Sequence, residues 1–288
     1  MAFDQSLVRI GGQLYGRMCE VTVGTSRWQD LHVTFKIDKT VDKHPNAAEI
    51  VLHNLTPQSR AEVVVRGTPL TLRAGYQAVS TNEVIYTGEI TESISGRDGP
   101  TWKTTVHCRD GDTAWLQFSS HSLSQATPKL KIAQLLAADL GYQLSSDAKA
   151  RLTSAGSTRG PIVLHGNSYV QMDKLLTPLG LAWSVQDGQL QILDGGGATA
   201  EQAILISPQS GLIGTVEPLE QFNKLHTKHG KPAGIKLKCF IVPGIRAGRL
   251  IAVQSEAVNG TYVVRKATYN GDTHGNDWHI EIEARLVK

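Results

Sequence analysis

Asp272, His274 and Asp277 fall within six residues and carry the side chains of a metal site or an acid–base relay. Their context argues against both uses. They occupy Asn270-Gly271-Asp272-Thr273-His274-Gly275-Asn276-Asp277, a glycine-rich turn of the kind in which Asp and Asn hydrogen-bond their own backbone. Turn chemistry is the expectation there. Asp110-Gly111-Asp112 sets two carboxylates at i and i+2, as a calcium loop does, but the further acidic positions and closing Glu of an EF-hand are missing, so a strand-ending turn is expected. His226 and His229 stand beside Lys224 and Lys228 in a polar segment that reads as exposed.

The remaining signatures of catalysis are absent from the sequence. There is no HExxH or HxH, no GxSxG elbow, no GxxxxGK[ST] phosphate loop and no GxGxxG between a strand and a helix. A glycosidase-like pair of carboxylates assembled from distant strands leaves no local signature, so it stays open at this level. No catalytic, cofactor-binding or metal-ligating residue is assigned, no cofactor is expected, and the chain is read as non-enzymatic.

The composition is that of a folded protein: 288 residues with 40% hydrophobic and 19% charged side chains. This length suits two or three domains. A net charge of +3, from 29 basic and 26 acidic residues without long like-charge runs, gives no basic stripe for sequence-specific nucleic-acid binding. Cys19, Cys108 and Cys239 are odd in number and far apart, so they read as reduced packing residues, not a disulfide framework or a metal knuckle. Met1-Ala2-Phe3-Asp4-Gln5 lacks the start of a signal peptide, and no window is apolar enough to insert in a membrane; synthesis and assembly in a cytoplasm are expected.

Period-two alternation dominates from Cys19 to Arg109. Leu31, Val33, Phe35 and Ile37 face one way and His32, Thr34, Lys36 and Asp38 the other. Further strands are expected over 48–55 and 70–76, with a hairpin joining 84–95 to 101–109 through Gly96-Arg97-Asp98-Gly99-Pro100. Thr56-Pro57 marks a short helix start. The pattern changes after Ser119. Ile132, Leu135, Leu136 and Leu140 line one face of a helix over 131–141 that ends at Gly141. A second helix is expected from an N-cap at Ser168, carrying Val170, Leu175 and Leu176 inward, and short strands over 162–165, 181–185 and 190–193 complete an α/β unit, the last two joined through Asp187-Gly188. Gly195-Gly196-Gly197 reads as a linker. Beyond it alternation returns over 234–239, 249–253 and 260–267, and a closing hairpin brings in Trp278 to Arg285. Lys236 with Lys238, and Glu281 with Glu283, are expected to lie on ordinary solvated faces.

The C-terminal third carries a family likeness. Ser207-Pro208-Gln209-Ser210-Gly211-Leu212-Ile213-Gly214, Gly234-Ile235-Lys236-Leu237-Lys238-Cys239, Pro243-Gly244-Ile245-Arg246-Ala247-Gly248, Asn259-Gly260-Thr261-Tyr262-Val263-Val264 and Gly271-Asp272-Thr273-His274-Gly275-Asn276-Asp277-Trp278 resemble, as a set, the baseplate hub proteins of contractile-tailed phages. Ala48 to Thr56, Gly75-Tyr76 and Ile85-Tyr86-Thr87-Gly88-Glu89-Ile90 resemble that family's first domain.

The resemblance implies a mainly β fold with two tail-tube-like β-barrel domains, 1–118 and 197–288, bracketing an α/β insert domain at 119–196. It implies a structural homotrimer in the virion tail baseplate, related to the hub part of type VI secretion spikes. Its expected partners are other copies of itself, the tail tube protein, the central spike protein, the tape measure protein and neighbouring baseplate proteins, around a genome-ejection channel. Two alternatives share parts of this pattern: the tail-tip hub of a non-contractile phage, and a peptidoglycan-binding or -cleaving tail component suggested by the α/β unit.

Overall fold

The computed structural model describes residues 14–41, 45–111, 116–193, 198–199, 201–219 and 233–287. Asp112, the Gly195-Gly196-Gly197 linker, and His226 and His229 with their lysines lie outside the described residues.

The first third comprises β1 (Arg17–Val23), β2 (Ser26–Trp28), β3 (Val33–Thr40), β4 (Ala47–His53), α1 (Pro57–Glu62), β5 (Pro69–Tyr76), β6 (Thr81–Asp98) and β7 (Thr101–Arg109). The middle holds β8 (Phe118–Leu123), α2 (Lys129–Asp139), β9 (Gln143–Leu144), α3 (Ser146–Thr153), β10 (Ile162–Asn167), α4 (Ser168–Leu176), β11 (Ala182–Gln186) and β12 (Gln189–Leu193). The last third runs through β13 (Ile204–Ile206), β14 (Leu212–Pro218), β15 (Gly234–Phe240), β16 (Leu250–Gln254), β17 (Asn259–Asp272) and β18 (Trp278–Leu286).

Local chemistry explains the boundaries. Thr56 caps α1 by accepting the Ser59 N–H, with Pro57 at the first helical position. The α2 helix stops before Gly141, whose φ of +82° suits a residue without a Cβ. The cap of α4 is Asn167, one residue earlier than the sequence suggests, because its amide oxygen accepts the Val170 N–H. Val170 therefore sits in the exposed first turn, whereas Leu176 fills the core as expected, together with Met172. Helix α3, capped by Ser145, was not anticipated; its eight residues bury only Ala148 and Leu152, too few to make a periodic stripe.

The two ends of the chain share one sheet. Thirteen strands pair in the order β14-β15-β18-β17-β3-β4-β7-β6-β5-β1-β2, with β16 branching from the first half of β17 and β13 pairing β16. Where the sequence suggested two barrels, the ladder is one continuous path, and no closed barrel forms among the described strands. The joint is the antiparallel pairing of β17 with β3, from Lys266↔Thr40 to Asp272↔Thr34. One hydrophobic cluster correspondingly takes residues from both ends, including Ile37, Leu72, Val106, Leu237, Tyr269 and Ile282. Trp278 locks the two ends together, its ring edge-on to Phe35 and Tyr76 and beneath the Arg17 guanidinium. Cys19, Cys108 and Cys239 are buried and unbridged, and burial pushes each thiol up to about 12.

The middle unit has its own hydrophobic cluster, formed by Ile132, Leu136, Leu152, Met172, Leu176, Trp183, Leu190 and Ile192 among others. It meets the sheet through the β11–β12 turn, where Asp187 and Gly188 adopt φ of +52° and +77°. Three polar contacts fasten that turn. The Lys39 ammonium donates to Asp187 at 2.5 Å, the Asn46 amide donates to the Val185 carbonyl, and the Gln186 amide donates to the Thr40 carbonyl. Beside them Asp110 is buried and accepts from both the backbone N–H and the amide of Asn46; burial nevertheless raises its carboxyl to about 7.

Candidate functional site

The singled-out turn residues serve structure. Burial pushes the Asp272 carboxyl up, but the backbone N–H groups of His274 and Gly275 and the His32 ring more than offset it, leaving Asp272 below its usual range. Arg17, far away in sequence, donates to the carbonyls of Asp272, Gly275 and Asn276 and so pins the turn to β1. His32 stacks on His53 with ring centroids 3.9 Å apart. Burial lowers the His53 pKa, and the neighbouring His32 and Lys103 add to the effect. Asp277 points elsewhere, towards His279 at 3.7 Å. Among the described residues no group of three or more His, Cys, Asp or Glu side chains is arranged to hold a metal ion.

A larger arrangement emerges on the polar face of the sheet. Directly opposed residues in antiparallel strands share a face, so the registers define three rows across it. The first runs Glu92, His107, Glu49, Lys36, Asn270, His279. The second runs Glu89, Arg109, Ala47, Asp38, Thr268, Glu281, Lys238. The third runs Thr40, Lys266, Glu283, Lys236, Glu217.

Every direct charged neighbour in these rows has the opposite sign. Glu49 faces Lys36, Glu89 faces Arg109, Glu281 faces Lys238, and Glu283 stands between Lys266 and Lys236. Diagonal contacts complete the lattice: Lys266 lies 3.6 Å from Asp38, Lys236 lies 3.5 Å from Glu281, and the Thr268 hydroxyl donates to Asp38 at 2.6 Å. Such exposed pairs contribute roughly 0.2–1 kcal/mol each, so they pattern the surface more than they hold the fold. Lys36, Asp38, Lys236, Lys266, Thr268, Asn270, Glu281 and Glu283 line a cleft of about 320 Å³, so this face is locally concave.

The sequence marked Lys236, Lys238, Glu281 and Glu283 as solvated rows, and here they become one half of a surface whose other half, Lys36, Asp38 and Glu49, comes from the opposite end of the chain. Alternation put those residues on a polar face. It carried no signal that the two faces were one.

The chain matches the family model described as Baseplate hub gp41 over residues 18–284, nearly its whole length. It belongs to that family. No curated protein matches it. In three dimensions the hub is similar to the 43 kDa tail protein of prophage MuSo2 from Shewanella oneidensis, with TM-score 0.62 at 12% identity over 94% of this chain and 98% of that one. It is similar to the tail protein of Neisseria meningitidis MC58, with TM-score 0.63 at 12% identity over 94% and 97% of the two chains. It is also similar to the c3393 protein of E. coli, a component of the type VI secretion system, with TM-score 0.57 at 12% identity over 93% and 77%. At these identities the likeness establishes a shared tail-protein fold. The hub family is structural and its place is the phage tail baseplate.

Proposed function

We propose that this hub assembles as a homotrimeric ring in a contractile-tail baseplate, joining the tail tube to the central spike around the ejection channel. Residues 1–118 and 197–288 supply the ring, and residues 119–196 stand as an insert on it.

The observation that carries this reading is a repeat in strand order. The path β14-β15-β18-β17 and the path β3-β4-β7-β6 are the same four-strand unit: two strands, then the second strand of a long hairpin, then its first. Within the chain the units join when the last strand of one, β17, pairs with the first strand of the other, β3, over seven residues. That leaves the first strand, β14, and the second half of the last strand, β6, without a partner on one side among the described residues. Residues 92–98 of β6 pair only with β7, and β14 pairs only with β15.

Pairing β6 of one copy with β14 of the next repeats the joint already made by β17 and β3. Direction is consistent too. All eight strands alternate in direction, so rotation about an axis along the strands brings β6 antiparallel to the neighbour's β14. Such a head-to-tail contact closes into a ring, and three copies with two units each present six similar positions, suited to docking a sixfold tube on a threefold spike.

Reconstruction of the tail particle tests the reading. Three copies on the tail axis, with β6 of each beside β14 of the next, are expected; a single off-axis copy overturns it.

A further inference from the structure

We propose that the stacked rings of His32 and His53, together with His274, form an acid-operated latch: with one proton or none among them they clasp the turn between β17 and β18 against the ends of β3 and β4, and a second proton releases it. The latch lies within one chain and does not depend on the ring.

The sheet brings these side chains together from distant segments. His32 stands just before β3, His53 ends β4, and His274 belongs to the turn that follows β17. The rings of His32 and His53 lie within 11° of parallel with centroids 3.9 Å apart, and the His274 ring is 4.5 Å from that of His32. His32 Nε2 is 3.0 Å from the Asp272 carboxylate. Lys103 of β7 is the direct cross-strand partner of His53, and its ammonium is paired with Asp98. Arg17 of β1 reaches the turn from the other side, donating to the carbonyls of Asp272, Gly275 and Asn276.

These neighbours accommodate one proton and oppose a second. An imidazolium at His32 faces the Asp272 carboxylate. Another at His53 would lie face to face with the first and opposite the Lys103 ammonium, whose carboxylate partner is already engaged. His53 is buried and its Nε2 has no hydrogen-bond partner, so the charged N–H would meet no acceptor there. Burial lowers its proton affinity, and His32 and Lys103 lower it further. An unfolded histidine binds protons more readily, so acidification below the ordinary histidine value of 6.5 favours the opened arrangement. Arg17 does not titrate, and its hold on the turn is the same at either pH. Opening therefore starts at the Asp272↔Thr34 end of the β17–β3 joint.

Hydrogen–deuterium exchange on the full-length protein, corrected for the intrinsic rate at each pH, tests the latch. The reporters are the Thr273 N–H, which donates to the Val33 carbonyl, and the His274 and Gly275 N–H groups, which donate to Asp272. In wild type they should lose protection about tenfold between about pH 7.5 and about pH 5, while residues 280–284 of β18 keep theirs. His53→Phe preserves the ring stack and takes no proton, so its turn should stay equally protected at both pH values. His53→Gln, smaller and neutral, should do the same and keeps the test open if the phenylalanine variant fails to fold. A wild-type turn equally protected at both pH values, or a folded variant that loses protection in acid as wild type does, overturns the proposal.

Discussion

Lys39 of β3 and Asp187 of the β11–β12 turn form an ion pair at 2.5 Å in which the lysine is 2% exposed, so the α/β unit is fastened to the central sheet by a charge that water does not reach. The Tyr269 ring lies 5.4 Å from the same ammonium. Removing one partner leaves a buried charge uncompensated. Asp187→Asn, which tolerates the positive φ of this position, should therefore cost about 3–5 kcal/mol in denaturant unfolding, whereas Lys39→Met with Asp187→Asn should lie nearer wild type. A double-mutant cycle by urea titration measures the difference.

Asp110 gives a pH dependence of defined sign. Burial disfavours its charge more than the Asn46 bonds favour it, so the carboxyl is raised to about 7, well above the ordinary aspartate range. The folded protein therefore holds a proton that the unfolded chain has released, and this group's contribution to stability falls as pH rises from about 4 to about 7, then stays flat. Asp110→Asn does not titrate. Its stability deficit relative to wild type should be larger at pH 5 than at pH 8, read as paired melting curves.

Gly271 lies under the ring of Phe35, its direct cross-strand partner in the β17–β3 joint. A Cβ at this position would stand 2.1 Å from the ring, so the aromatic would have to leave its place against Trp278. Gly271→Ala is expected to destabilise by about 1–3 kcal/mol through overpacking, and Gly271→Ala with Phe35→Leu to recover part of that loss. Thermal unfolding of the three variants checks it.

The free edge of β6 offers an assembly test that leaves the fold alone. Ile94 is exposed, so Ile94→Lys should change monomer stability by no more than about 0.5 kcal/mol. A charge in the middle of an edge strand opposes pairing with another chain. Light scattering should show the variant's trimer dissociating at a higher protein concentration than wild type's.

Much of this molecule can be read locally. Alternation located the strands that carry Phe35 and Ile282, because a half-buried strand has to repeat every second residue. Asp187-Gly188 announced its turn because few residue pairs tolerate two positive φ angles. The glycine-rich segment around Asp272 read as a turn, although its anchor, Arg17, lies 255 residues away and has no motif to betray it. Helix α3 went unseen because two buried residues do not make a period.

The sequence by itself determined which side chains face out along each strand, that the chain has no local signature of catalysis, and that its peptides resemble a hub. Tertiary structure alone decided that the two β-rich ends form one sheet, that Lys36 and Glu281 belong to one charge lattice, and that β14 and residues 92–98 of β6 keep an edge without a partner strand among the described residues. The reason is physical: strand periodicity is set by bonds between neighbouring residues, whereas register between strands more than 200 residues apart is set by the shared core they bury on folding.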